Sequence, residues 1–262
     1  MHCAILTLFP EAIRPYLDES ILGIAQAQGH LRLDLVDFRN WTSDPHRTVD
    51  DRPFGGGPGM VLKPEPIFSA IEHVEQADGP FHKILLCPRG RTFDQQHARR
   101  LSGKDRLLFL CGRYEGFDER IRDGLRQSPG GYEEISLGNF VLAGGELAAA
   151  VMLEAAVRLI PGVLGCAQSA ELESFEGDLL DYPQYTRPRK YTPPSSFTNP
   201  SSLTNRHTSS SDSQAHPEMD RQIMEVPEVL FSGDHARVAR WRHEQAERLT
   251  EQKRLAEEQK LD

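Results

Sequence analysis

The sequence predicts a doubly wound α/β domain followed by a smaller, mostly helical one, and three observations carry that prediction. Short apolar runs alternate with helical patterns from Cys3 to Val36 and again from Lys83 to Ser136, the strand, helix, strand rhythm of a parallel sheet. Glycines cluster just after several of these runs, where open α/β sheets place their ligands. Beyond about residue 165 the composition turns polar and the strand rhythm stops. A chain of 262 residues is long enough for one sizeable core and a second, smaller domain.

Cys3 to Leu8 reads as a buried strand, and Pro10 with Glu11 opens a helix expected to end near Gly29, since proline suits a first turn and an acid complements the helix dipole. Leu31 to Val36 is the next strand. Phe38 to Pro58 lacks periodicity and is expected to be a long loop, of the kind that is usually functional or mobile. Its G-G-G-P-G end invites comparison with a phosphate-cradling loop, but Gly59 is followed by Met60 and Val61 where Lys and Ser/Thr are required, which argues against nucleotide-triphosphate hydrolysis. Pro66 to Ala77 is a helix, Lys83 to Cys87 a strand ending at Pro88-Arg89-Gly90, and Asp94 to Leu101 a helix. Arg106 to Leu110 is a strand followed by a helix through about Arg126, a Pro-Gly turn at Ser128 to Tyr132, and a last strand, Tyr132 to Ser136.

The helix expected from Gly145 to Leu159 carries only Glu146, Glu154 and Arg158 as charges, so it is buried on more than one side, either by its own sheet or in a homodimer. Pro161 stops it, Gly162 and Gly165 begin a hinge, and Cys166 to Gly177 reads as a polar, acidic linker. Tyr191 to Gln222 is crowded with Ser, Thr, Pro and Asn and lacks the apolar content to offset its ordering entropy, so it is expected to be disordered. A final helix starts at about Ala236, where Arg237, Arg240, Arg242 and Arg248 with Trp241 form either a solvated face or a nucleic-acid contact.

The formal charge of −9 argues against indiscriminate coating of nucleic acid and leaves local basic patches to hold any such partner. Cys3, Cys87, Cys111 and Cys166 form no CxxC pair and no metal-ligand spacing, so reduced thiols and no metal are expected. The amino terminus lacks the pattern of a signal peptide, and no apolar run approaches the roughly 20 residues of a membrane span, which together predict a soluble, cytoplasmic protein without a membrane partner.

Two stretches hold the candidate chemistry. Ser136 to Glu146, S-L-G-N-F-V-L-A-G-G-E, brackets an apolar run with three glycines and can hold a flat, uncharged group through its backbone, or serve only as a tight strand-to-helix connection. Leu110 to Arg120, L-C-G-R-Y-E-G-F-D-E-R, places an aromatic, an acid and a base between two glycines at a strand end.

Together with H-R-T-V-D-D-R-P-F-G-G-G-P-G-M (His46 to Met60), R-L-I-P-G-V-L-G (Arg158 to Gly165) and L-L-D-Y-P-Q-Y-T-R-P (Leu179 to Pro188), these stretches closely resemble the bacterial tRNA (guanine37-N1)-methyltransferase family of the SPOUT class. The resemblance implies a parallel-sheet SPOUT domain over residues 1–164 with a trefoil knot at its C-terminal end, a flexible linker at 165–177, and a small helical tRNA-binding domain at 178–262 interrupted by the insertion at about 191–222. It implies S-adenosyl-L-methionine as cofactor, tRNA and not DNA as the nucleic acid, and a homodimer. Cofactor contacts are expected from Leu86 and Pro88, from Gly112, Tyr114 and Glu115, and from Leu137, Gly138, Asn139, Phe140, Val141, Leu142, Gly144 and Gly145. Contacts with tRNA fall on His46, Arg47, Asp50, Arg52, Asp181 and Arg187. The resemblance places the general base on Glu173, where the family has aspartate, with Glu171 as runner-up, and stabilisation of charge on guanine O6 on Arg158. A SPOUT enzyme for another RNA position and an RNA-binding protein with weakened catalysis are the alternatives.

Overall fold

The computed structural model describes residues 1–164, 179–194 and 223–259. Contacts divide the chain into two units, Met1–Glu171 and Leu172–Asp262.

The first unit is built on a five-stranded sheet of β1 (His2–Thr7), β2 (Arg32–Asp37), β5 (His82–Thr92), β6 (Arg106–Cys111) and β7 (Tyr132–Ser136) in the order β2-β1-β6-β5-β7. Every pairing in it is parallel. The central strands are buried on both faces, Ile5 and Phe109 toward one side and Leu6 and Leu108 toward the other, which is why they read as continuous apolar runs rather than alternating ones. Helices α1 (Pro10–Leu17), α2 (Ser20–Ala27), α4 (Gln95–Ser102) and α6 (Glu146–Val157) cover one face, and α3 (Pro64–Asp78) and α5 (Glu119–Gln127) the other. The doubly wound α/β class and the parallel sheet are therefore observed.

Three local expectations need correction. The single helix from Pro10 to Gly29 is two helices broken at Asp18 and Glu19. Pro15 supplies no N–H and crowds the preceding turn, and the break lets Leu17 and Leu22 both reach the core. The strand at Lys83 does not stop at Cys87. Its pairing with β7 shifts between Leu86 and Arg91, both opposite Ile135, so residues 87–90 bulge out of the ladder and the strand resumes to Thr92. Pro88, unable to donate, lies in that bulge. The long loop expected from Phe38 to Pro58 contains a 3-10 turn, Phe38–Trp41, and β3 (Asp50–Asp51), which pairs antiparallel with β4 (Val61–Leu62) just beyond it.

Helix α6 buries most of its length within the unit, including Ala149, Met152, Leu153 and Ala156, while Leu147 and Val151, one turn apart, are 64% and 48% exposed. The second unit contains β8 (Lys190–Tyr191) paired antiparallel with β9 (Met224–Glu225), a 3-10 turn at Glu228–Phe231, and α7 (His235–Glu258). Asp234 caps the last helix, accepting from the Arg237 N–H at 3.0 Å. Tyr191, expected to open the disordered segment, is instead paired with Met224, and residues 195–222 of that segment lie outside the described residues. Among the described residues no helix is long and apolar enough to cross a membrane.

Candidate functional site

A cavity of about 550 Å³ opens at the C-terminal ends of β5, β6 and β7. Three segments wall it: the bulge 87–90, the turn 112–117 after β6, and the run 135–145 that leaves β7 for α6.

Sequence dictates the form of each wall. Gly112 has no room for a side chain, since a Cβ there would lie 2.8 Å from the Phe117 ring. Tyr114 holds a left-handed backbone, φ 57°, strain of the kind that clusters at ligand sites, and its side chain stays 55% exposed at the cavity. The Glu115 N–H donates to Met60 O at 3.0 Å and the Leu62 N–H to Gly116 O at 2.9 Å, so the end of the G-G-G-P-G-M motif is hydrogen-bonded to this turn. Gly59 suits that place because its φ of 83° disfavours a side chain, and a Cβ would also meet Glu115 Oε1 at 2.0 Å. In the third segment the Ser136 hydroxyl donates to Gly138 O at 3.0 Å and the Phe140 N–H donates to the same oxygen at 2.9 Å, folding the chain back. The Gly145 N–H then donates to Gly112 O at 3.0 Å, and a Cβ on Gly145 would lie 2.8 Å from Cys111 Cα. The two glycine segments thus touch backbone to backbone.

One wall is polar. Glu134 accepts from Tyr132 Oη at 2.6 Å, Arg122 Nε at 3.1 Å and Cys87 Sγ at 3.1 Å, while Glu119 bridges Arg122 and Arg89 at 3.1 and 3.0 Å. Burial pushes the Glu134 carboxyl up, but these three donors outweigh it and hold the group below the usual carboxylate range. Burial and then Glu134 push the Cys87 thiol up, so it remains a neutral donor and no nucleophile.

Of the residues expected at the cofactor, Leu86 and Pro88 line the cavity from β5 and its bulge, and Gly112, Tyr114 and Glu115 line it from the β6 turn. Leu137, Phe140, Val141, Leu142, Gly144 and Gly145 line it from the third segment, whereas Gly138 and Asn139 do not. The residues present suit an adenosine with a charged thioether tail. Apolar walls at Leu86, Ile135 and Leu142 accept a flat base, the crowded glycines leave backbone within reach, and Glu115 supplies negative charge for a sulfonium or ammonium.

The model of the family described as tRNA (Guanine-1)-methyltransferase TrmD matches residues 1–209. The chain belongs to this family. Among its relatives is a tRNA (guanine-N(1)-)-methyltransferase of Dehalococcoides mccartyi, 43% identical over 255 residues, 97% of this chain and 89% of that protein. Proteins of the same name from Lacticaseibacillus paracasei and Geobacillus kaustophilus are 45% and 42% identical, each over 95% of this chain and over 84% and 88% of their own lengths.

The other described residues expected of the family's site are not among those that line this cavity. Arg158 is the half-buried C-cap of α6 and does not line the cavity, and Glu173 and Glu171 lie outside the described residues. His46, Arg47 and Arg52 are exposed on the segment between β2 and β4, where Asp44 shapes the turn by accepting from the N–H groups of His46 at 3.1 Å and Thr48 at 2.9 Å. Asp50 pairs with Leu62 in the β3–β4 ladder. In the second unit, Arg187 lines a separate cavity of about 820 Å³ and Asp181 does not. There Arg189 lies 4.3 Å over the Phe231 ring and Arg242 4.7 Å over that of Tyr182.

Sequence reasoning missed the Glu134 cluster, whose acid reads as an ordinary strand residue, and the Gly59 to Glu115 contact, whose partners are far apart in the chain. It also missed Glu146, although a lone acid opening an apolar helix was the available signal.

Proposed function

We propose that the protein transfers a methyl group from S-adenosyl-L-methionine to N1 of guanosine 37 in tRNA, immediately 3′ of the anticodon. The observation that carries this reading is the family match across residues 1–209 together with a glycine-walled cavity at the C-terminal end of a parallel sheet. Bound S-adenosyl-L-methionine supplies a methyl already activated by its sulfonium, so the protein's own tasks are to hold the donor, orient the guanine and manage one proton.

Residues of the three cavity segments hold the cofactor. Glu173 takes the N1 proton as general base, and the Arg158 guanidinium stabilises the negative charge that gathers on O6. His46, Arg47, Asp50, Arg52, Asp181 and Arg187 contact tRNA, the last within an arginine and aromatic cavity suited to nucleic acid. The approach of Gly145 to Cys111 and Gly112 supports a trefoil knot in which the third segment is threaded past the second. Exposed Leu147 and Val151 on α6, with Tyr16 and Ile24 also open, support a homodimer. Residues 1–164 and 178–262 act as cofactor and tRNA domains joined by the linker at 165–177.

Incubation with labelled S-adenosyl-L-methionine and undermodified tRNA, followed by mapping of the methylated nucleotide, tests the reading. Label on N1 of guanosine 37 is expected, and label elsewhere, or none, overturns it. Glu173→Gln keeps size and hydrogen bonding but removes basicity, and should slow single-turnover transfer by about 10²-fold or more with cofactor affinity intact. A fast Glu173→Gln beside an inactive Glu171→Gln would move the base to Glu171.

A further inference from the structure

Beside the cavity a circuit of side chains joins the end of β1 to both glycine segments. Thr7, fully buried, donates its hydroxyl to Glu146 Oε1 at 2.7 Å and accepts from the Phe9 N–H at 2.9 Å. Glu146, the first residue of α6 and 3% exposed, receives Arg113 Nε on Oε1 at 3.3 Å, and Arg113 Nη2 lies 3.0 Å from Oε2. The Arg113 guanidinium stacks 4.5 Å above the Phe9 ring and reaches Ala143 O at 3.4 Å. Despite the close guanidinium, Glu146 Oε2 accepts no hydrogen bond, so charge alone holds that side of the carboxylate. A buried carboxylate is tolerated only when paired, and one at a helix N-terminus gains further from the dipole.

We infer that Thr7, Arg113 and Glu146 form a positioning latch that holds the turn 112–116 against 143–146 and so preorganises the cofactor cavity. This rests on the methyltransferase reading of that cavity and adds to it three residues whose task is to shape it. The latch also explains Gly144. Its φ is not in the left-handed region, yet a Cβ there would lie 2.3 Å from Arg113 Nε and 2.4 Å from Glu146 Oε2. Gly144 is glycine because the ion pair fills the space of a side chain. A turn already held in its binding form loses less freedom when the ligand arrives, so loosening it weakens binding more than it slows the chemistry of the saturated enzyme.

The test compares Glu146→Gln, Thr7→Val and Thr7→Ser in the full chain. Calorimetry with S-adenosyl-L-methionine should give about tenfold weaker binding for Glu146→Gln and Thr7→Val, with Thr7→Ser restoring affinity because it restores the hydroxyl. At saturating cofactor kcat should stay within about threefold of wild type, so the loss appears in KM. Without cofactor, amides of 112–116 and 144–146 should exchange faster in Glu146→Gln and Thr7→Val than in Thr7→Ser. Wild-type affinity and exchange in Thr7→Val, or equal losses in Thr7→Val and Thr7→Ser, would overturn the latch. Should Glu146→Gln fail to fold, the Thr7 pair still decides. If no tRNA is methylated, the functional reading fails, while calorimetry and exchange continue to judge the latch.

Discussion

The two ends of the central sheet differ in what they leave exposed. At the N-terminal end, polar groups are matched to one another. Arg32 reaches Asp34 at 3.2 Å and Asp78 at 2.9 Å, with His2 Nε2 at 2.6 Å from the same Asp34 carboxylate. Fully buried Lys83 holds Glu75 at 2.5 Å and Pro129 O at 2.7 Å. Glu133 is gripped by His82 at 2.7 Å and by Arg100 at 3.1 and 2.8 Å. At the C-terminal end the backbone is strained at Tyr114, while Tyr114, Phe140 and Val141 stand 55%, 55% and 84% exposed. Satisfied groups stabilise a fold, and groups left open are available to a ligand. The difference is the one expected if one end of the sheet serves stability and the other the proposed recognition of a ligand.

Four measurements break or sharpen that division. Lys83→Met should have the largest effect on stability, a loss of about 3 kcal/mol or more in denaturant unfolding, because it removes the ion partner of the Glu75 carboxylate and the donor to the Pro129 carbonyl. Its affinity for S-adenosyl-L-methionine should not change, and a parallel loss of binding would join the two ends. Glu133 follows. Burial pushes its carboxyl up, yet His82 and Arg100 outweigh this and bring it from 4.5 to about 2. A folded pKa below the unfolded one gives stability that is complete above pH 4.5 and disappears as pH falls toward 2. Glu133→Gln should therefore lose about 2 to 3 kcal/mol at neutral pH and show a flatter stability profile through that acid window. An unchanged acid limb would show that the clamp is no stabiliser.

Gly112→Val tests the opposite end. Its side chain collides with Phe117 and displaces the turn, so calorimetry should show cofactor affinity falling by about 10²-fold. Unchanged affinity would contradict the cavity. The smallest effect is expected from replacing 195–222 by a short Gly/Ser turn. Lys190 and Tyr191 pair with Glu225 and Met224 outside that segment, and each doubling of loop length alters closure by only about 0.6 kcal/mol. A drop of several degrees in melting temperature would assign the segment a structural task.

What the sequence made legible follows from how local each signal is. The strand Tyr132–Ser136 lies where expected, and Arg106–Cys111 differs by one residue, because buried parallel strands are short apolar runs with clear ends. The break at Asp18 and the bulge at 87–90 were not foreseen, although Pro15 and Pro88 stand beside them, because a proline does not by itself say whether an element ends, breaks or resumes. In the cavity, glycine motifs announced the walls at Gly112 and Gly145, but glycines look alike in a sequence whatever keeps their side chains out. The ring of Phe117 excludes one at 112, the Arg113 and Glu146 pair one at 144, and the end of β6 one at 145.

Gly59 and Glu115 share one small volume, and that has a consequence for how the chain can vary over time. An alanine at 59 would stand where Glu115 Oε1 now lies, and because the obstacle is the end of a side chain, Glu115 rather than the backbone would be displaced. Shortening Glu115 to aspartate would relieve the contact but not the φ of 83° at 59, which disfavours any side chain. Change at 59 is thus answerable only in part at 115. The coupling of these two distant motifs runs one way: a side chain at 59 calls for a smaller residue at 115, whereas Glu115 can shorten with Gly59 unchanged.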